Sequence, residues 1–234
     1  MANMTSETMV GELKKLLGER LESVVLYGSM AAGDHTAKHS DINLMVVTKN
    51  LTREELQSLS SVIVPWVKEG NHPPLLLNTN HFKEFASVFP VEILDIQNSH
   101  KILYGSDPVQ GVSGSNDHLK VQLQHELQAK FLRLKTQFIL TESKPAAVIQ
   151  LMVDSLSSFL VLFKNSLWLF NAKPSPKKME ALRQLKSHIA FDMEPFEKVE
   201  YLKNGSHLPE SDAILLFQRY FSSVQSIMNH VDQL

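Results

Sequence analysis

Residues 24–47, VVLYGSMAAGDHTAKHSDINLMVV, decide how the first half of this chain is read. An apolar, β-branched run from Ser23 to Tyr27 leads into Gly28 and Ser29, a segment of small residues follows, and a second such run spans Ile42 to Val47. Both runs predict strands. Side chains two apart on a strand share a face, so Asp41 and Asn43 point one way while Ile42 and Leu44 point into the core. Two oxygen ligands thereby converge. Glycine at position 28 lets the backbone approach a ligand closely, and the amides and the Ser29 hydroxyl beyond it can hold phosphate oxygens. Hard oxygen ligands beside a phosphate-holding turn suit a magnesium-nucleotide complex.

On either side of this stretch the pattern alternates between helical and strand periods. The first twenty residues place apolar side chains at helical spacing and predict a surface helix. Thr52 followed by Glu55 predicts a capping box, opening a helix that runs to about Val67 before EGNHPP breaks it. Leu75 to Asn78 predicts a strand, His81 to Val88 a short helix, and Val91 to Ile96 a further strand. That last strand offers a third carboxylate, Glu92 or Asp95. Three apart on a strand, the two face opposite ways, so only one can join the site; Glu92, just after Pro90, is preferred, and Asp95 is expected to face solvent or to serve structure.

After Tyr104 the composition changes. YGSDPVQGVSGSND is rich in Gly, Ser, Asp and Pro, and nothing beyond it predicts a strand. The expected division is a first domain over 1–105, a linker over 106–118 and a helical domain over 119–234. Leu123, Leu127, Phe131, Leu134 and Phe138 lay one apolar stripe along a long helix. Ser143 with Pro145, and Ser175 with Pro176, predict the cap and first turn of two more, the latter ending near Phe191. Helical patterns at Glu194 to Lys203 and Glu210 to Leu234 are separated by the stop signal NGSHLP. The fold class is therefore α+β: a mixed α/β domain with a small mixed sheet, then an all-α bundle of four or five helices.

Composition narrows the function. The chain has 234 residues, 43% hydrophobic and 21% charged, enough to bury a sizeable core, and its formal charge of −2 supplies no broad basic field, so nucleic acid is not the expected partner. With no cysteine, disulfides, thiolate metal sites and thiol nucleophiles are excluded. Ala146 to Phe170 is apolar enough to suggest a membrane span, but Gln150, Asp154, Lys164 and Asn165 interrupt it, so a buried helix and no membrane partner are expected. The start of the chain lacks the pattern of a secretion signal, and a cytoplasmic setting is expected. A homodimer is compatible with all of this.

The order Gly28-Ser29, eleven residues, then Asp41-Ile42-Asn43-Leu44, then Val91-Glu92-Ile93, resembles the DNA polymerase β-like nucleotidyltransferase superfamily. A helical bundle behind it is similar to the kanamycin-nucleotidyltransferase type and to minimal nucleotidyltransferases paired with HEPN-like helical domains. The resemblance implies a nucleotidyltransferase fold, Mg2+ or Mn2+ held at Asp41, Asn43 and Glu92, a nucleoside triphosphate held at Gly28 and Ser29, and attack on its α-phosphorus by an acceptor hydroxyl on a small molecule or protein. It further implies Glu126 as a general base and Lys130, one helical turn later, near the phosphates; the same pair also fits an exposed helical ion pair. The pattern departs from the family at Asn43, an amide where a second Asp is expected, and at MAAG, which lacks an arginine. The change at Asn43 opens an alternative, a catalytically degenerate nucleotide-binding protein with a regulatory or antitoxin-like role. Arg183 and His188 carry a fainter resemblance to HEPN ribonucleases.

Overall fold

The computed structural model describes residues 5–33, 42–112, 115–207 and 209–234. It divides into two compact units, Met1–Ser115 and Asn116–Leu234. In the first, α1 (Ser6–Leu17), β1 (Leu21–Tyr27), α2 (Ser29–Ala32), β2 (Asn43–Thr48), α3 (Arg53–Lys68), β3 (Leu75–Asn78), α4 (Thr79–Val88), α5 (Pro90–Asn98) and β4 (His100–Gly105) follow one another. The strands form one sheet in the order β3-β2-β1-β4. β1 pairs antiparallel with β2 and β4, whereas β2 and β3 run parallel, so the sheet is mixed.

Strand periodicity sorts the apolar side chains onto two faces. Val24, Leu26, Leu44 and Val46 pack with Met9 and Leu13 of α1 and Leu59 and Trp66 of α3. Val25, Met45 and Val47 pack with Phe82 of α4 and with Ile93 and Ile96 of α5. Each such fully buried side chain contributes about 1.5–3 kcal/mol relative to exposure. The capping box at α3 is formed: the Thr52 hydroxyl accepts from the Glu55 amide at 3.3 Å, and Glu55 accepts from the Thr52 amide at 2.8 Å. Its other oxygen is held by Arg20 at 3.0 Å, which ties the start of α3 to the turn before β1.

The second unit contains five α-helices among its described residues: α6 (Asn116–Leu140), α7 (Pro145–Ser166), α8 (Lys178–Leu185), α9 (Glu194–Lys203) and α10 (Ala213–Gln233). α7 touches each of the other four. The apolar stripe of α6, Leu123, Leu127, Phe131 and Leu134, is buried, as are Met152, Leu156, Phe159 and Phe163 of α7. α7 with its 3-10 extension to Phe170 is long and apolar enough to cross a membrane, and here it carries the middle of the bundle. Architecture as a whole is α+β.

Four local expectations are overturned. Val91 to Ile96 is helical, the body of α5, because Pro90 occupies the first helical position and Val91, Ile93 and Ile96 are buried around a helix that is covered on most sides. A strand does follow, at His100–Gly105, where none was expected, and α6 begins at Asn116, inside the segment read as the linker. Pro145 opens α7 as expected, yet the capping position is Lys144, and Ser143 sits at φ 56° in the preceding turn. Ser175 does not cap α8 directly; it accepts from the Lys177 amide and donates to Glu180, and α8 stops at Leu185 rather than near Phe191.

Candidate functional site

β1 ends at Tyr27, and the next residue turns the chain. Gly28 adopts φ 78° and ψ −152°, a region closed to side-chain-bearing residues, and its carbonyl accepts from the Ala32 amide at 3.0 Å across the single turn of α2. Gly33, left-handed, closes that turn. In the antiparallel register Tyr27 lies opposite Asn43. The two chains approach so closely that a Cβ on Gly28 would sit 3.0 Å from Asn43 Nδ2. Asn43 is half-buried, and the Ser29 hydroxyl makes no hydrogen bond among the described residues.

Period two on β2 puts Asn43 on the face of Met45 and Val47, the face that α5 covers. Tyr27 packs against the same apolar cluster, and on its other side it pairs with His100 of β4. One polar row, Asn43, Tyr27 and His100, thus crosses three strands. Above it α5 carries Glu92 in its first exposed turn and Asp95 one turn further on. Burial raises the Tyr27 phenol above its usual range, and the charges of Asp95 and then Glu92 raise it further. Both carboxylates thus bear electrostatically on one hydroxyl. This corrects the expectation that they face opposite ways: residues three apart diverge on a strand but are neighbours on a helix.

His100 fastens this end of the sheet to the helix and to the loop beyond. Its Nδ1 donates to the Ile96 carbonyl at 2.9 Å, and its Nε2 lies 3.2 Å from the Asp107 carboxylate, whose second oxygen accepts from the Val109 amide. Gln97 of α5 donates to the carbonyls of Val109 and Val112 at 2.9 and 2.6 Å. Sequence reasoning missed Tyr27, His100 and Asp107 as members of this region. The available signal was Pro90, which marks a helix start and so makes HKILY the next strand.

Asp41, with His35 and His39, lies outside the described residues. Among the described residues no three His, Cys, Asp or Glu side chains gather as a metal cage. What the region does present is the Asn43 amide and the carboxylates of Glu92 and Asp95, all hard oxygen donors. That donor chemistry fits magnesium or manganese better than a soft metal.

In the second unit Glu126 and Lys130 lie one turn apart on α6 and line a groove of about 480 Å³. Arg133 of α6 and Asp154, Ser158 and Phe159 of α7 are also among its walls. Among the described residues neither Glu126 nor Lys130 is ion-paired, so the exposed helical pair is not formed. Arg183 and His188 do not meet: Arg183 bonds Glu197 at 3.0 Å, and the His188 ring stacks on Phe170 at 4.7 Å between centroids.

Residues 7–103 match the family model described as Nucleotidyltransferase domain. Among solved structures, the chain is similar to spectinomycin adenyltransferase AAD(9) from Enterococcus faecialis, determined with ATP and spectinomycin. The two are 12% identical, the match covers 97% of this chain and 100% of that one, and the TM-score is 0.61. At that identity the likeness is one of fold. No curated protein matches.

Proposed function

Taking residues 7–103 as a nucleotidyltransferase domain, we propose that the chain transfers a nucleotidyl group from a magnesium-nucleoside triphosphate to a hydroxyl of a small molecule. The observation that carries this reading is the meeting of Gly28 and Asn43 at the end of β1, with the carboxylates of α5 acting on the same corner of the sheet. In this reading the amides and hydroxyl of Gly28 and Ser29 hold phosphate oxygens, and Asp41, Asn43 and Glu92 hold the cation. A bound Mg2+ or Mn2+ would supply Lewis-acid polarisation of the phosphoryl oxygens and a template for in-line attack. The acceptor oxygen forms a bond to the α-phosphorus, the bond to pyrophosphate breaks, and Glu126 takes the hydroxyl proton while Lys130 meets phosphate charge. The adenyltransferase neighbour binds ATP and spectinomycin; for this chain the nucleotide and the small-molecule class of acceptor carry over as the proposal, and a cytoplasmic setting goes with them.

A second reading, nucleotide binding without transfer, draws on Asn43, because an amide ligates magnesium without bringing charge. The two part in one experiment. The protein is incubated with α-labelled triphosphates, magnesium and a small-molecule extract. Labelled product with release of pyrophosphate, abolished in Asp41→Ala and Glu92→Gln, is the result expected. Magnesium-dependent binding of the triphosphate with no labelled product overturns transfer and leaves the binding module.

A further inference from the structure

The groove between α6 and α7 has a composition that names a ligand class. Glu126, Lys130 and Arg133 fall at successive turns along one side of α6, and Asp154 and Ser158 fall one turn apart on α7. The two helices are joined by only the residues between Leu140 and Pro145 and pack on each other as an antiparallel pair. Equal rises from that connection bring Lys130 level with Asp154 and Glu126 level with Ser158, while Arg133 is the charged residue nearest the connection, with Gln137 and Leu151 lining the groove beyond it. The charged residues therefore grade from Arg133 through the mixed level of Lys130 and Asp154 to Glu126.

These charges are not spent on one another. Among the described residues Glu126, Lys130 and Arg133 make no ion pair, and the one side-chain hydrogen bond of Asp154 is from the Gln150 amide, which donates to it at 2.7 Å. Below them Phe159 is buried and closes the floor, and Ser155 is fixed by its 3.1 Å hydrogen bond with Tyr220. A volume of about 480 Å³ lies within the range of small-molecule sites.

We propose that this groove binds a small zwitterion bearing a hydroxyl, with its anionic group at Arg133 and Lys130, its amine at Asp154, and its hydroxyl toward Glu126. Charge arithmetic excludes simpler ligands. A cation without an anion gains at Asp154 and Glu126 but is repelled by Lys130 one turn away, and a simple anion meets the converse. Only a molecule with both signs meets the basic and the acidic groups of the groove together. The inference rests on the transfer reading for the role of the hydroxyl, and on the groove alone for binding.

The test titrates the full chain calorimetrically, with no nucleotide and no divalent metal. The probes are L-homoserine, whose anion is a carboxylate, and its phosphonate analogue 1-amino-3-hydroxypropylphosphonate, whose anion is a phosphonate; both carry the hydroxyl. 4-Hydroxybutyrate and ethanolamine serve as single-charge controls. At least one zwitterion is expected to bind about ten-fold or more tighter than either control, and the preference between the two identifies the anion. Arg133→Gln should remove that advantage without weakening ethanolamine; Asp154→Asn should remove it without weakening 4-hydroxybutyrate, whose repulsion it relieves. Equal binding of controls and zwitterions, no binding of either zwitterion, or an advantage indifferent to both variants overturns the inference. Zwitterion binding by a protein that transfers no label keeps this inference while the transfer reading falls; label transfer to a molecule that lacks one of the charges does the reverse.

Discussion

Gly28 presents its bare Cα to the side chain of Asn43, so closely that an added methyl group would lie 3.0 Å from the amide nitrogen. The constraint is double, since φ at Gly28 is also positive. Gly28→Ala is expected to lower stability by about 1–3 kcal/mol, read from urea unfolding. Adding Asn43→Ala should return only the steric part, because the backbone strain stays. Gly105→Ala should cost more than Gly28→Ala: its Cβ would fall 1.8 Å from the Glu22 carbonyl oxygen, and backbone cannot swing aside as an amide side chain can.

Asn43→Asp tests what the amide does. A carboxylate there is expected to strengthen magnesium-dependent triphosphate binding by about ten-fold or more. Without metal the same variant should be less stable than the parent, because a new negative charge joins the corner where Asp95 and Glu92 already act on Tyr27. Calorimetric titration and thermal unfolding with and without magnesium check both halves. Unchanged affinity would remove position 43 from the cation's ligands.

Tyr27 and Tyr220 resist ionisation, the first through burial and the nearby carboxylates, the second through burial in the bundle. A phenol raised in the folded state keeps its proton after the unfolded chain has lost it. Its stabilising contribution is complete below the ordinary phenol pKa of about 10 and falls as pH rises above it. Ultraviolet titration should show late-ionising tyrosines that diminish in Tyr27→Phe and in Tyr220→Phe. Asp95→Asn should bring Tyr27 back toward ordinary ionisation more than Glu92→Gln does.

On the acid side, Glu194 is held down to about 2 by hydrogen bonds from Arg219 and then Lys198. Its contribution is present above the unfolded carboxyl pKa of about 4.3 and is lost as pH falls from there toward 2. Glu194→Gln should flatten the acid limb of stability in that window, and because the group is exposed, salt should shrink the difference.

Glu126→Gln separates chemistry from binding. Loss of a general base is expected to reduce turnover by about 10²–10⁴-fold, with triphosphate affinity unchanged. Quench-flow of labelled transfer alongside equilibrium binding reads the two apart. A fall in affinity with turnover intact would assign Glu126 to ligand holding.

Much of the first unit was legible because its signals were local. The Thr52 and Glu55 capping box, the β-branched runs of β1 and β2, and the short apolar strand Leu75–Asn78 each announce themselves within a few residues. VEILDI did not, because its alternation mimics a strand while the helix it forms is covered on several sides and shows little amphipathic contrast. Misreading α5 hid β4 and with it His100. That Glu92 and Asp95 both bear on Tyr27 depends on tertiary packing that no window of sequence displays. Glu126 and Lys130 were visible as a pair; that they stand apart in a groove with Arg133 and Asp154 was not.

The strand order has a consequence for cutting this protein into pieces. β1, one of the two inner strands, takes one partner from residues 43–48 and the other only from residues 100–105. A fragment ended before His100, however well it retains the glycine turn, leaves one whole flank of β1 with bare amides and carbonyls beside fully buried valines. Such a product would recruit foreign strands and precipitate, so an expressible first half must reach beyond Gly105.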